Sequence, residues 1–357
     1  MAASIPAYSR RDREGLADVF RWFGEVDAPG VGGHLYQALC HGIAEDGQLL
    51  ASAALAPSTQ PPPNLLFAAV HYLLLGGLDH PLRAWYPGLT AGAAKEPSSA
   101  FPAFRDLCLE HREAIEGLIR TRLTQTNVIQ RCSALLPAFA HVSRAAGAVP
   151  LALIEIGPSA GLNLQWDRFR YEYDGVHRWG DAGSKVVVPC EVRGDVPLEL
   201  PDAIPVASRR GVDIHPVDIG DEDAVRWLQA LIWPEHVARH ERLRHAIDMA
   251  RETPPDITRG SAAEHLPRLI AEAPADAAIC VYGTHTLYQF PRDALIGTFQ
   301  AMQNASGERA IDFLSMESTG DRCSEVKHTA YRDGERETTL VANANPHGHW
   351  LEWLVPA

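Results

Sequence analysis

The sequence predicts an α/β protein: a helical front half, then a mostly parallel sheet covered by helices on both faces. Three observations predict it. After Val149, apolar runs of strand length alternate with helical segments. One of those runs, residues 151–156, breaks into the small-residue turn Gly157-Pro158-Ser159-Ala160-Gly161 and then a helix start. Near the end, residues 338–342 and 350–355 read as strands close enough in sequence to close the sheet as an antiparallel hairpin.

The elements follow in order. Residues 16–23 and 35–43 read as helices, and 57–63 is a proline-rich loop with Asn64 capping a helix over 65–75. The Pro- and Gly-rich stretch 79–102 reads as irregular. Long helices are predicted over 104–123 and 128–146, the second stopped by Gly147. The buried strand 151–156 precedes a short helix over 162–169. Residues 171–205, with the strand-like 185–192, read as an insertion that loops out. Then come a strand at 210–214, a helix at 221–232 with an acidic first turn, and a helix at 234–251. A short strand at 256–258, a helix at 262–271, a strand at 277–282, a helix at 292–303 and a strand at 310–316 complete the alternation. The domain reading is a helical cap or substrate domain over 1–149 and a cofactor-binding domain over 150–357.

Of the 357 residues, 46% are hydrophobic and 22% charged, and the net charge is −13. That balance offers no basic face for phosphates, so no nucleic-acid partner is expected. The six cysteines include no Cys-x-x-Cys, which points away from a disulfide framework or zinc site and toward a cytoplasmic setting. The first fifteen residues hold no apolar signal-peptide region, and stretches such as 65–75 are too short to cross a bilayer. The expected partner is a small-molecule substrate, with no membrane, and the oligomeric state is left open.

A strand, a glycine turn and a helix start put backbone N–H groups around a cavity at a sheet edge. Two chemistries want that geometry. One is a nucleotide-like cofactor with Glu155 accepting hydrogen bonds. The other is a Gly-x-Ser-x-Gly elbow presenting Ser159 as a nucleophile. For the second, chain order permits Asp218 or Asp312 and then His347 or His349 as triad partners. Against it, the preceding residues read as helical and no His-Gly-Gly-Gly-like oxyanion loop is present. His236 and His240 stand at i, i+4 without a third ligand, so no metal is expected and exposed helix surface is the reading.

The order of elements resembles the class I S-adenosylmethionine-dependent methyltransferase sheet, a Rossmann-like sheet ending in such a hairpin. Glu155 stands two residues before the turn, where Gly157 and Gly161 match the outer glycines of the first methyltransferase motif and Ser159 replaces the middle one. The resemblance implies S-adenosylmethionine as cofactor, held by Glu155, Gly157, Ser159, Gly161 and Asn163. It also implies Asp213, near the end of the next strand, as acceptor for the ribose diol. Asp213 follows Glu155 by 58 positions, against roughly 20 for a plain βαβ unit, so the insertion must account for the difference. The segment after the fourth strand supplies His285 as general base, with Thr284 and Tyr288 orienting a substrate. Asn127 and Arg131, i and i+4 on a helix before the cofactor strand, are placed over the pocket as substrate-binding residues. The expected function is a methyltransferase acting on a small molecule. A serine hydrolase and a non-catalytic Rossmann-like ligand-binding protein stand as alternatives.

Several segments resemble a bacterial family known only as a domain of unknown function (family 2332). They are 124–127, 131–137, 153–164, 167–171, 210–218, 227–235 and the closing His347-Gly-His-Trp350. The family has no assigned reaction, so this resemblance implies no activity.

Overall fold

Among the described residues, which are 12–90, 92–320 and 323–356 of this computed structural model, eleven strands form one sheet. In chain order they are β1 (Leu151–Ile156), β2 (Arg170–Tyr173), β3 (His177–Gly180), β4 (Val187–Arg193), β5 (Val206–Asp213) and β6 (Asp256–Arg259). There follow β7 (Ala278–Thr284), β8 (Ile311–Ser318), β9 (Ser324–Arg332), β10 (Glu335–Ala344) and β11 (Trp350–Trp353). Across the sheet the order is β3-β2-β4-β11-β10-β9-β8-β7-β1-β5-β6. From β6 to β8 every pairing is parallel, and β8 to β11 then run as an antiparallel meander. The α/β class and the closing β10–β11 hairpin thus stand as the sequence predicts. The reading of residues 1–11 falls outside the described residues.

The register divides the sheet into two unlike faces. Ile154, Val281 and Phe313 are neighbours across β1, β7 and β8, and they pack with Leu266, Leu269, Ile270 and Met302 of the helices Ala262–Ala271 and Arg292–Ala305. The opposite face carries Glu155, Tyr282 and Leu314 in register. Helix Cys132–Ala145 covers that face, with Phe139 set edge-on to Tyr282 at 5.1 Å. Burial on both faces is why β1 is apolar throughout apart from its one acid.

Residues 171–205 do not loop out. Tyr171, Tyr173, Val188 and Cys190 are buried and alternate with more exposed neighbours, the period of a half-buried strand. β2 to β4 therefore extend the sheet beyond β11, with β4 parallel to β11. This also covers the β11 edge, which would otherwise expose a row of backbone groups. Sequence reading omits β9, whose alternation is disguised because buried positions hold His328 and Thr329.

The chain divides into two compact units. One holds the described residues up to Thr126 together with Asp221–Glu241, and the other holds Asn127–Gly220 and Arg242 onward. The first is helical around Phe20, Tyr36, Phe67 and Phe104, with Tyr36 stacked on Phe67 at 4.0 Å. Segment 221–241 is bound into that helical unit. Trp227 donates its indole N–H to the Leu123 carbonyl at 2.8 Å, and Glu235 accepts the Leu35 N–H at 2.6 Å. His236 and His240 are half-buried there, against the Val31 carbonyl and the His71 ring, rather than on exposed helix surface. The expected helix 104–123 is two, Phe101–Glu110 and Arg112–Thr121, broken at His111. Helix Pro62–Leu75 starts from Pro61 instead of Asn64, with proline in its first turn where no N–H is needed. A helix at Gly47–Ala53, unread in the sequence, is capped by the Asp46 carboxylate on the Gln48 and Leu49 N–H groups.

Candidate functional site

The chain leaves β1, returns beside it as β5, extends to β6, and then crosses to the other side of β1 as β7. The order reverses at β1, and in open α/β sheets ligands bind beyond the carboxyl ends of strands at such a point. The turn 157–161 lies there. Gly157 (φ 68°), Ser159 (φ 55°) and Gly161 (φ 70°) all take the left-handed conformation. That conformation strains any residue with a Cβ, so a serine held in it is a local cost the surrounding structure must offset.

Asp213, at the end of β5, fixes the turn. One carboxylate oxygen accepts the Ser159 N–H at 2.8 Å, and the other accepts the His215 N–H at 2.8 Å. The expectation assigned this carboxylate to a ribose diol. Its two oxygens each hold a backbone donor, and only their remaining lone pairs face other groups. Gly157 is needed for a close approach: a Cβ there would lie 2.1 Å from the Thr286 hydroxyl oxygen. A Cβ on Gly161 would lie 2.7 Å from Pro255.

Glu155 is 1% exposed and accepts the Tyr282 hydroxyl at 3.0 Å. Burial pushes its carboxyl up to about 8, and the nearby Asp213 charge adds to this against the Tyr282 and Asn163 hydrogen bonds. Glu155 is therefore protonated through most of the neutral range. Four buried polar atoms of the turn and the 3₁₀ segment Leu162–Arg168 have no hydrogen-bond partner: Ser159 Oγ, Asn163 Oδ1, Trp166 Nε1 and Asp167 Oδ1. Such atoms are costly unless something else satisfies them.

Thr284 is buried at the end of β7, and His285 follows with φ 50°. The Nε2 of His285 lies 2.9 Å from the Ser324 hydroxyl. A general base at neutral pH works best with a pKa near neutrality. Burial, and then the Arg131 charge, push that of His285 down to about 3, so the imidazole is neutral across physiological pH. Tyr288 is 72% exposed.

Asn127 and Arg131 do not share a helix face. Val128 is extended, a 3₁₀ turn spans Ile129–Arg131, and the α-helix begins only at Cys132. Asn127 Oδ1 instead accepts the Leu162 N–H at 3.1 Å, tying this segment to the end of the glycine turn. Arg131 donates from Nε to the Pro346 carbonyl at 2.9 Å and acts electrostatically on Glu155, His285, Tyr288 and Glu317.

Glu317, near the end of β8, is the residue sequence reading missed. Its Oε1 accepts the N–H groups of Thr286 and Leu287, each at 3.0 Å, while its buried Oε2 has no partner. It thereby holds the loop that packs on Gly157. Tyr282 and Ser324 were missed as well. Only the register of β1, β7 and β9 brings them beside Glu155 and His285.

The triad of the hydrolase alternative is not assembled. Ser159 Oγ has no partner, Asp312 pairs with His328 at 2.8 Å, and His349 lies 3.2 Å from Gln130. Asp218 caps its own turn at Gly220. A cavity of about 700 Å³ lies elsewhere in this unit, between β2, β3 and the segment 197–202. Among the described residues no group of three His, Cys, Asp or Glu is placed to hold a metal, and no helix is long and apolar enough to cross a membrane.

Comparison of the sequence with known proteins returns no match among curated proteins and none among solved structures. The model of one family, described as an uncharacterized protein conserved in bacteria (DUF2332), matches residues 17–353, and the chain belongs to that family.

Proposed function

We propose that this member of the uncharacterized bacterial family DUF2332 binds S-adenosylmethionine at the turn after β1 and transfers its methyl group to a small-molecule acceptor. The observation that carries the reading is the switch-point turn itself. Three left-handed residues are bracketed by Glu155 and Asp213 on adjacent parallel strands, with the unsatisfied buried Ser159 Oγ and Asn163 Oδ1 among the orphaned polar atoms beside them. Orphaned polar atoms in a built, rigid turn fit a polar ligand better than they fit a packing role. In this reading the sheet is of the Rossmann-like methyltransferase kind, and the setting is the cytoplasm.

S-adenosylmethionine, when bound, supplies an electrophilic methyl group on a sulfonium sulfur. The residues here would hold it: Gly157, Ser159, Gly161 and Asn163 along the turn, protonated Glu155 as a hydrogen-bond donor, and Asp213 through its remaining lone pairs. Transfer of this kind needs alignment and exclusion of water more than acid–base work. A neutral His285 fits that division, because a base held near 3 accepts a hydrogen bond from an acceptor but does not ionise a hydroxyl. Thr284 lines the same strand end, and the exposed Tyr288 sits on its rim.

Calorimetry with S-adenosylmethionine and S-adenosylhomocysteine tests this. Affinity that Asn163→Ala and Glu155→Ala weaken supports it, and absence of binding to both ligands ends it. Labelling of Ser159 by a fluorophosphonate would turn the assignment to a hydrolase. Binding without turnover across acceptor panels would turn it to a non-catalytic ligand-binding protein.

A further inference from the structure

We propose that the cavity between β2, β3 and the segment 197–202 binds an aromatic α-amino acid, its ring against Trp179, its carboxylate at Arg178 and its ammonium at Asp202. The inference does not rest on the methyltransferase reading and uses no residue of the turn after β1.

The cavity has a volume of about 700 Å³, inside the range of about 300–1,000 Å³ that small-molecule sites take. Tyr173 pairs with His177 and Tyr171 with Trp179 across β2 and β3, so the strand period of two puts Trp179 on the face of the two tyrosines. The Trp179 ring is held in place. Trp166 stacks on it at 5.8 Å, Tyr171 stands edge-on at 5.8 Å, and its indole N–H donates to the Pro201 carbonyl at 2.6 Å. That bond also ties the segment 197–202 to β3, and Pro197 and Pro201 stiffen the segment by fixing their own φ. Trp179, Val192, Leu198 and Leu200 line the cavity and are only half-buried, which leaves an apolar wall that the chain does not cover. Aromatic rings pack well on one another in offset or edge-on contacts, so a planar ring is the body that suits this wall.

The rim carries both signs of charge: Arg170, His177 and Arg178 against Asp174 and Asp202. Two of these groups are committed. Arg170 donates to Glu172, and Asp174 accepts the Val192 N–H at 2.8 Å. Arg178 reaches Glu172 only at 3.7 Å and its side chain is 69% exposed, so its planar fork of donors is open to a carboxylate. Asp202 is exposed and follows the carbonyl that holds the Trp179 indole. A carboxylate only accepts hydrogen bonds, and a cationic donor satisfies it best. One cation, one anion and a fixed aromatic wall match the carboxylate, the ammonium and the ring of an aromatic amino acid. A purely anionic, cationic or apolar ligand would leave at least one of the three unused.

The test titrates the full chain by calorimetry with L-phenylalanine, L-tyrosine and L-tryptophan. Each is compared with the amine that lacks its carboxylate (phenethylamine, tyramine, tryptamine) and with the 3-arylpropionate that lacks its ammonium. The variants Arg178→Gln and Asp202→Asn change exposed side chains and leave the Trp179 wall intact. Losing one hydrogen-bonded partner should cost roughly two- to tenfold in affinity. Arg178→Gln should weaken the amino acid and the arylpropionate but not the amine. Asp202→Asn should weaken the amino acid and the amine but not the arylpropionate. That crossed pattern supports the site. Absence of binding by all three amino acids overturns it, as does binding that neither variant changes, or a variant that weakens all three kinds of ligand alike. An amine or an arylpropionate that binds as tightly as its parent amino acid overturns the amino-acid class. Leu200→Glu puts a charge on the apolar wall and should abolish binding; full binding by that variant overturns the placement of the ring. No cofactor enters these titrations, so their failure leaves the methyltransferase reading standing.

Discussion

Substituting Gly157 by alanine should destabilise the sheet-bearing unit by a definite amount. At φ 68° the backbone is left-handed, and an L-residue there costs about 1–2 kcal/mol. The new Cβ would also lie 2.1 Å from the Thr286 Oγ1 and 3.0 Å from its Cβ. Thr286 cannot swing aside cheaply, because it is β-branched and its N–H is held by Glu317. Overpacking of this kind costs about 1–3 kcal/mol. The total is about 2–5 kcal/mol, read by urea denaturation with tryptophan fluorescence. Thr286→Ala removes the hydroxyl but not the backbone strain. In the double variant the overpacking share of about 1–3 kcal/mol should therefore be recovered as a coupling energy, leaving the conformational share. Gly157→Ala as stable as the wild type would refute the reasoning about the turn. Additive single and double variants would refute the part that assigns the clash to Thr286.

Three further outcomes are expected. Because Glu155 is raised in the folded protein to about 8 from an ordinary 4.5, the folded state holds its proton across that window and the unfolded state does not. Its contribution is present in full below about 4.5 and is lost as pH rises through about 8. Glu155→Gln should remove that decline from the stability-versus-pH curve, and an unchanged slope would contradict the assignment. Ser159→Gly should raise stability by about 1 kcal/mol through relief of left-handed strain, while weakening S-adenosylhomocysteine if the hydroxyl faces the cofactor. Asp213→Asn leaves one of two backbone N–H groups facing an amide nitrogen, so denaturation should report a loss of about 1–3 kcal/mol.

Much of the architecture was legible because it depends on local pattern. The apolar run 151–156, the small-residue turn and the alternation after it each carry their own signal, and the parallel strands β1, β5, β7 and β8 stand within a few residues of the reading. Signals failed where pairing, and not periodicity, decides the element. β9 hides its alternation behind a buried histidine and threonine, β2 and β3 look like a loop, and the strand-like 185–192 has no visible partner until β11 offers it an edge. The segment 122–128 failed for the opposite reason. Only the i, i+4 spacing of Asn127 and Arg131 suggests a helix, but Asn127 spends its side chain on the Leu162 N–H, and Val128 is extended.

The sequence alone determined that a glycine-type turn follows a buried strand bearing one acid, and that a second acid ends a nearby strand. Those facts follow from the residues' own conformational preferences. Only the tertiary structure decided what the acids do. Asp213 holds the turn through two backbone donors, Glu155 keeps its proton because the sheet and its covering helix remove it from water, and His285 is neutral because it is half-buried and near the Arg131 charge. Desolvation and charge proximity arise between residues far apart in the chain, so neither is written in any local stretch of it.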